Sequence, residues 1–302
     1  MIKFENISKS FKSDFWSQHF HAIKDLSFEI PEGSMVGFLG ANGAGKTTSL
    51  KIIMDFIRPT SGRVLFSEKL GNSKIEAFKN IGYLPERPYF YPNLKGEEFL
   101  TFLGLLSELK KTEISERIKY WAPRFKMDFA LDRELKTYSK GMLQRIGFMS
   151  TILHDPKMII LDEPLSGLDP IGRKEMKDVI IEVHKAGKTV FFSSHIVSDI
   201  EEICDRVIFL KEGELVFDGS VQKILGENLK SNYSIKFQTE NKVVIKTPYV
   251  EFKNIKQDTY SVVVNAENKI LLLEELLELN LDIKTLEQEK ISLEEIFYKL
   301  KR

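Results

Sequence analysis

The chain has 302 residues, 42% of them apolar, which allows one large domain or two ordinary ones around a sizeable core. Its 44 basic and 44 acidic side chains cancel, which argues against a nucleic-acid footprint spread over the chain, and no nucleic-acid partner is expected. The single cysteine, Cys204, excludes an internal disulfide and suits a reducing compartment.

MIKFENISKSF at 1–11 alternates apolar and polar residues as a half-buried strand does, and its charges do not fit a signal peptide. KSDFWSQHFHA at 12–22 predicts a loop. AIKDLSFEIPEGSM at 22–35 alternates again and turns at Pro31-Glu32-Gly33. An antiparallel edge therefore precedes MVGFLG at 35–40, a short apolar run expected to form a buried strand.

GANGAGKTT at 40–48 matches the phosphate-binding loop, and TSLKIIMDFI after it has helical spacing. Gly43 and Gly45 keep side chains out from between the main chain and an anion. Successive N–H groups can then converge on a phosphate at the positive end of a helix. Lys46 can reach terminal phosphates, and Thr47 can place its hydroxyl on Mg²⁺. Gly40, Asn42, Gly43, Ala44, Gly45, Lys46, Thr47 and Thr48 are the candidate phosphate contacts. Upstream, Phe11 or Trp16 has a ring face suited to a purine, with ordinary packing as the other reading.

RPTSGRVLFSEKL at 58–70 predicts a turn and a short strand. IGYL at 81–84 predicts another, followed by a loop carrying Glu86 and the prolines 85, 88 and 92, which cannot be helix interior. Residues 96–127 are helical in pattern. Ser139 is a candidate N-cap for the next helix, with Lys140 and Gly141 following and Gln144-Arg145 expected to face away from its apolar stripe.

MIIL at 158–161 predicts a buried strand with Asp162 and Glu163 at its carboxyl end, where parallel sheets bind ligands. Paired carboxylates there cost desolvation unless a cation or substrate uses them. Asp162 suits Mg²⁺ and Glu163 suits activation of an attacking water. TVFFSS at 189–194 ends at His195. A helix, the strand RVIFL and a hairpin at 211–214 follow.

Over about residues 1–220 these motifs resemble the ATP-binding subunit of ATP-binding-cassette (ABC) transporters. Walker A is GANGAGKTT, Walker B is MIILDEP at 158–164, the D-loop is SGLDP at 166–170 and the H-loop is SSHIVSDIE at 193–201. The family signature LSGGQ corresponds to YSKGM at 138–142, where Tyr138, Lys140 and Met142 replace Leu, the first Gly and Gln. That form resembles a subgroup driving exporters of the ABC-2 type. Glu86 stands where the family's lid loop has Gln, and either contacts the metal or transmits movement to a partner.

The resemblance implies an α/β P-loop NTPase (RecA-like) core with an antiparallel β-subdomain and an α-helical subdomain at about 88–155. It implies ATP and Mg²⁺ as cofactors and a homodimer that forms on ATP binding. Lys46, Glu163 and His195 would act catalytically, with Thr47, Asp162 and Glu86 at the metal. Ser139 and Gly141 would reach the γ-phosphate from the other subunit, and Asp169 would organise the interface. The dimer would drive a permease on a separate chain at the cytoplasmic face of the cell membrane. A soluble ABC ATPase not linked to transport is the alternative.

NYSIKFQ (232–238), KVVIKT (242–247), TYSVVVN (259–265) and LDIKTLEQ (281–288) predict strands, and 268–280 and 292–302 predict helices. Residues 221–302 are thus expected to form a small α+β domain like the C-terminal extension of ABC-2-type ATPases. No stretch approaches about 18 uninterrupted apolar residues, so no transmembrane segment is expected.

Overall fold

The computed structural model describes residues 1–12, 19–227, 232–239, 243–256 and 258–289, with Leu293 and Ile296. Trp16 and, apart from those two residues, the helix expected at 292–302 lie outside the described residues. The chain divides into two compact units, Met1–Val221 and Gln222–Arg302.

In the first unit, β1 (Ile2–Lys12) pairs antiparallel with β2 (His19–Ile30) on one side and β4 (Ser61–Phe66) on the other. The second sheet contains β3 (Met35–Gly40), β5 (Ile81–Leu84), β6 (Met158–Leu161), β7 (Thr189–Ser194), β8 (Arg206–Lys211) and β9 (Glu214–Ser220). Its order is β5-β6-β7-β3-β8-β9, parallel except for the edge strand β9. Strands β3, β6 and β7 are buried at every position. Helix-covered parallel strands are apolar on both faces, so they read as runs and not as alternation. Their carboxyl ends lie side by side, and that places the loops after 40, 161 and 194 around one crevice.

A file of phenylalanines joins the two sheets. Phe4 stacks on Phe28 at 4.4 Å, Phe28 meets Phe38 at 5.6 Å, and Phe38 meets Phe191 at 5.2 Å. Each such pair adds about 0.5–1.5 kcal/mol beyond area burial. The strand that launches the phosphate loop is therefore held from both sides.

The helices of this unit are α1 (Lys46–Ile53), α2 (Lys74–Lys79), α3 (Gly96–Leu106), α4 (Lys111–Arg124), α5 (Lys140–Ile152), α6 (Pro170–Lys185) and α7 (Val197–Ile203). The helical stretch expected at 96–127 is two helices, α3 and α4, because Glu108 turns left-handed at φ 63°. One expectation for α5 fails. Gln144 is buried, and its Nε2 donates to the Pro164 carbonyl at 3.1 Å. Arg145 donates to the Phe125 carbonyl and pairs with Glu175 at 2.6 Å. Ile146, Gly147, Phe148 and Met149 are all buried in succession, so α5 is covered all round there and has no polar face.

Helix α8 (Val221–Glu227) follows β9. In the second unit, β10 (Asn232–Gln238), β11 (Glu251–Lys256), β12 (Thr259–Asn265) and β13 (Asp282–Gln288) form an antiparallel sheet in the order β11-β12-β10-β13. Helix α9 (Lys269–Glu278) supplies Leu272 and Leu276 to a core with Ile235, Phe237, Val262 and Val264. The strand expected at 242–247 is absent among the described residues. Val243 and Ile245 do pack on the core. The N–H groups of Lys246 and Thr247, however, donate to the Glu275 carboxylate at 2.6 and 2.8 Å, so they form no ladder. The edge position falls instead to β11, mostly exposed and without an apolar pattern.

Candidate active site

Gly45, with φ 102°, occupies the N-cap position of helix α1, and no side chain caps the helix. A Cβ at Gly45 would lie 2.6 Å from the Ala22 carbonyl oxygen, so both the conformation and the close approach require glycine. The first N–H groups of α1 lack intrahelical partners and face an open loop. A cavity of about 440 Å³ lies there.

The structure brings most of the sequence-predicted residues to that cavity. Asn42, Gly43, Gly45, Lys46, Thr47 and Thr48 line it from the loop, Glu163 and His195 from the ends of β6 and β7, Glu86 from the loop after β5, and Phe11 from β1. Gly40 is the last residue of β3, and Ala44 is buried beneath the loop. Phe20 and Ser166, the latter the first residue of SGLDP, also line the cavity, and neither is among the candidate site residues read from the sequence. Phe20 faces Phe11 across the β1–β2 pair; the loop expected at 12–22 is shorter, because β2 already begins at His19 and takes Phe20 into the strand.

Lys46 and Glu163 are both buried. Lys46 Nζ donates to the Gly40 carbonyl at 2.7 Å and lies 3.3 Å from Glu163 Oε1. His195 Nδ1 lies 2.8 Å from Glu163 Oε2. Both carboxylate oxygens of Glu163 thus have partners. The residue itself is left-handed, at φ 49°, a cost of about 1 kcal/mol for a side chain of this kind.

Asp162 sits behind Glu163, fully buried. Its Oδ1 accepts from the Ser193 hydroxyl at 2.6 Å, while Oδ2 has no hydrogen-bond partner. Burial pushes the Asp162 carboxyl up from its ordinary value; the Ser193 and Thr47 hydroxyls pull it back, and the charges of Glu163 and Glu86 push it further up. The Tyr83 phenol is raised in turn, by burial and then by the Asp162 charge. A buried carboxylate oxygen with no close donor, near a hydroxyl that favours its ionised form, fits a hard divalent cation such as Mg²⁺. No cluster of three or more His, Cys, Asp or Glu suited to a metal occurs among the described residues, so further ligands would come from phosphate and water.

Ser139, Gly141 and Asp169 line a different cavity, of about 450 Å³. The Ser139 side chain caps α5, accepting from the Met142 N–H at 3.3 Å. Asp169 caps α6, accepting from the Gly172 N–H at 2.9 Å. Tyr138 is buried, and its hydroxyl donates to the Ala130 carbonyl at 2.6 Å.

Residues 23–166 match the sequence profile of the ABC transporter family. The uncharacterized ABC transporter ATP-binding protein sll0415 of Synechocystis sp. is 42% identical over 74% of this chain, which spans 63% of that relative's length. YxlF of Bacillus subtilis, also an uncharacterized ABC transporter ATP-binding protein, is 36% identical over 99% of both chains. Among solved structures, the ATP-binding cassette MJ0796, a dimer in a post-hydrolysis state bound to ADP and Pi, superposes with a TM-score of 0.66 at 23% identity. That likeness covers 73% of this chain and 99% of that one, and it places the first unit in the same α/β P-loop fold. The chain belongs to the ABC transporter family, as an ATP-binding ATPase subunit.

Proposed function

We propose that two copies of this chain close head to tail on ATP and drive a separate permease, as an exporter of the ABC-2 type. The observation that carries the dimer is the separation of the two cavities. Lys46, Glu163 and His195 line one, while Ser139 and Gly141 line the other. A second copy would bring its Ser139 and Gly141, at the start of α5, to the γ-phosphate held by the first.

Phosphoryl transfer to water is mostly positioning and charge neutralisation. In this reading Thr47 and Asp162 hold Mg²⁺, and Glu86 borders the same cavity within reach of that charge. Bound Mg²⁺ supplies neutralisation of the phosphate oxygens. Lys46 leaves Glu163 for the phosphates. Glu163 Oε1, freed of that ion pair, accepts the proton of the attacking water, while His195 keeps Oε2 in place. Phe11, with Lys9 over its ring at 5.0 Å, offers a stacking face to the base.

The exporter assignment rests on the YSKGM signature form, and the separate permease on the same family resemblance. The permease would hold the chain at the cytoplasmic face of the cell membrane.

Mixing Lys46→Ala with Ser139→Arg chains tests the composite site. A mixed dimer carries both lesions at one nucleotide and leaves the other intact, so mixing restores activity that neither variant has alone. No recovery in a crosslinked mixed dimer contradicts the reading. Affinity capture from solubilised membranes tests the permease, which should co-purify as a polytopic membrane protein.

A further inference from the structure

Ser193 is a fully buried hydroxyl near the carboxyl end of β7. That strand lies between β6 and β3. A buried hydroxyl is costly unless hydrogen-bonded. Here it is bonded in both senses: Oγ accepts from the Glu163 N–H at 2.8 Å and donates its one proton to Asp162 Oδ1 at 2.6 Å.

Two consequences follow for the neighbouring residues. The donated bond engages Oδ1 and fixes the carboxylate's orientation, leaving Oδ2, the atom without a partner, as the oxygen more open to a cation. The accepted bond fastens the Glu163 backbone in its left-handed conformation, from which the carboxylate reaches Lys46 and His195. One hydroxyl therefore fixes both the carboxylate that suits the metal and the carboxylate that suits the water.

We propose that Ser193 is a positioning residue that couples Asp162 and Glu163 as a rigid pair. Its effect is transmitted through them, and the inference rests on the roles assigned to those two residues under Proposed function. Partners in this position set the orientation of a metal ligand, and their loss costs about 10–100-fold in metal affinity or activity.

Ser193→Ala removes only the oxygen and keeps the strand. Differential scanning fluorimetry with ATP in EDTA, then with ATP and increasing Mg²⁺, reads the metal requirement without turnover. The expected result is metal-free ATP binding within about two-fold of wild type, a Mg²⁺ requirement raised by about ten-fold, and kcat lowered by about ten-fold or more. Ser193→Thr keeps the hydroxyl and should recover most of both losses, which a purely structural role would not predict. A Ser193→Ala protein with wild-type Mg²⁺ requirement and kcat, beside Glu163→Gln and Asp162→Asn proteins that lose theirs, overturns the positioning role alone. Wild-type behaviour in Glu163→Gln and Asp162→Asn as well would overturn the assigned roles and this inference together.

Discussion

Two carboxylates, one in each unit, show how differently the same group is used. Asp162 in the first unit is fully buried, has an oxygen with no donor, and is pushed up in pKa by that burial. Glu275 in the second unit is partly buried, which alone would raise it too. The Thr247 hydroxyl and the N–H groups of Lys246 and Thr247 outweigh that and hold it below its ordinary value. Glu275 is satisfied and does structural work, closing the 243–250 segment onto α9. Asp162 is left short of a partner beside a phosphate loop. The first unit also buries Lys46, Glu163 and Ser193, whereas Thr247 is the one buried polar residue among the described residues of the second. A buried carboxylate oxygen left without a partner beside a phosphate loop, more than the presence of charge, marks the site that takes a ligand.

The comparison breaks most readily at Lys46. Lys46→Ala removes the cation that bridges the loop carbonyls and Glu163, and turnover should fall by more than about 100-fold, or about 2.7 kcal/mol of barrier, with weaker ATP binding. A wild-type ATPase rate in that variant would remove the cavity from the chemistry.

Glu275→Gln should cost the second unit about 1 kcal/mol at neutral pH, a modest amount for a solvent-screened carboxylate, because an amide cannot accept from all three donors. Since the folded pKa is lowered, the stabilisation is present above the unfolded value of about 4.3 and is lost as pH falls through the folded value. Chemical denaturation at several pH values measures it, with ATPase activity unchanged. A loss of ATPase activity would mean that the second unit acts on the nucleotide site.

Asp162→Asn should act in the opposite direction and by less. The raised folded pKa means that the ionised carboxyl opposes folding at neutral pH, and that this penalty disappears as pH falls toward about 3.9. Without metal, the variant should melt about 1–3 °C higher than wild type at pH 7.5 and at the same temperature near pH 4. It should also lose the extra stabilisation by ATP with Mg²⁺. A lower melting temperature at pH 7.5 would show that Asp162 is satisfied in the resting protein, as Glu275 is.

Much of the first unit is legible in sequence because its strands are continuous apolar runs ending in polar residues. MVGFLG, MIIL and TVFFSS deliver Lys46, Glu163 and His195 to one cavity. What escapes is whatever depends on partners distant in sequence. Ser193 looks like one small residue of a strand until Asp162 and Glu163 are beside it. Gln144 reads as polar surface until the middle of α5 is seen to be covered. The second unit is less legible for a related reason. KVVIKT alternates like a strand, but its N–H groups are claimed by a glutamate 28 and 29 residues away, while the exposed edge strand β11 carries no apolar pattern.

Glu163→Gln tests the central claim most directly. The amide keeps the size of the side chain but cannot take a proton from water, while Lys46, Thr47 and Asp162 remain. It also removes negative charge close to where the γ-phosphate would lie, which favours the closed state electrostatically. Size-exclusion chromatography of this variant should show a stable dimer with ATP and Mg²⁺ and a monomer or weak dimer without them, with ATP hydrolysis abolished. The addition of Ser139→Arg should abolish that dimer. Normal hydrolysis by Glu163→Gln would contradict its role as the base, and a monomer at saturating ATP and Mg²⁺ would contradict the shared site.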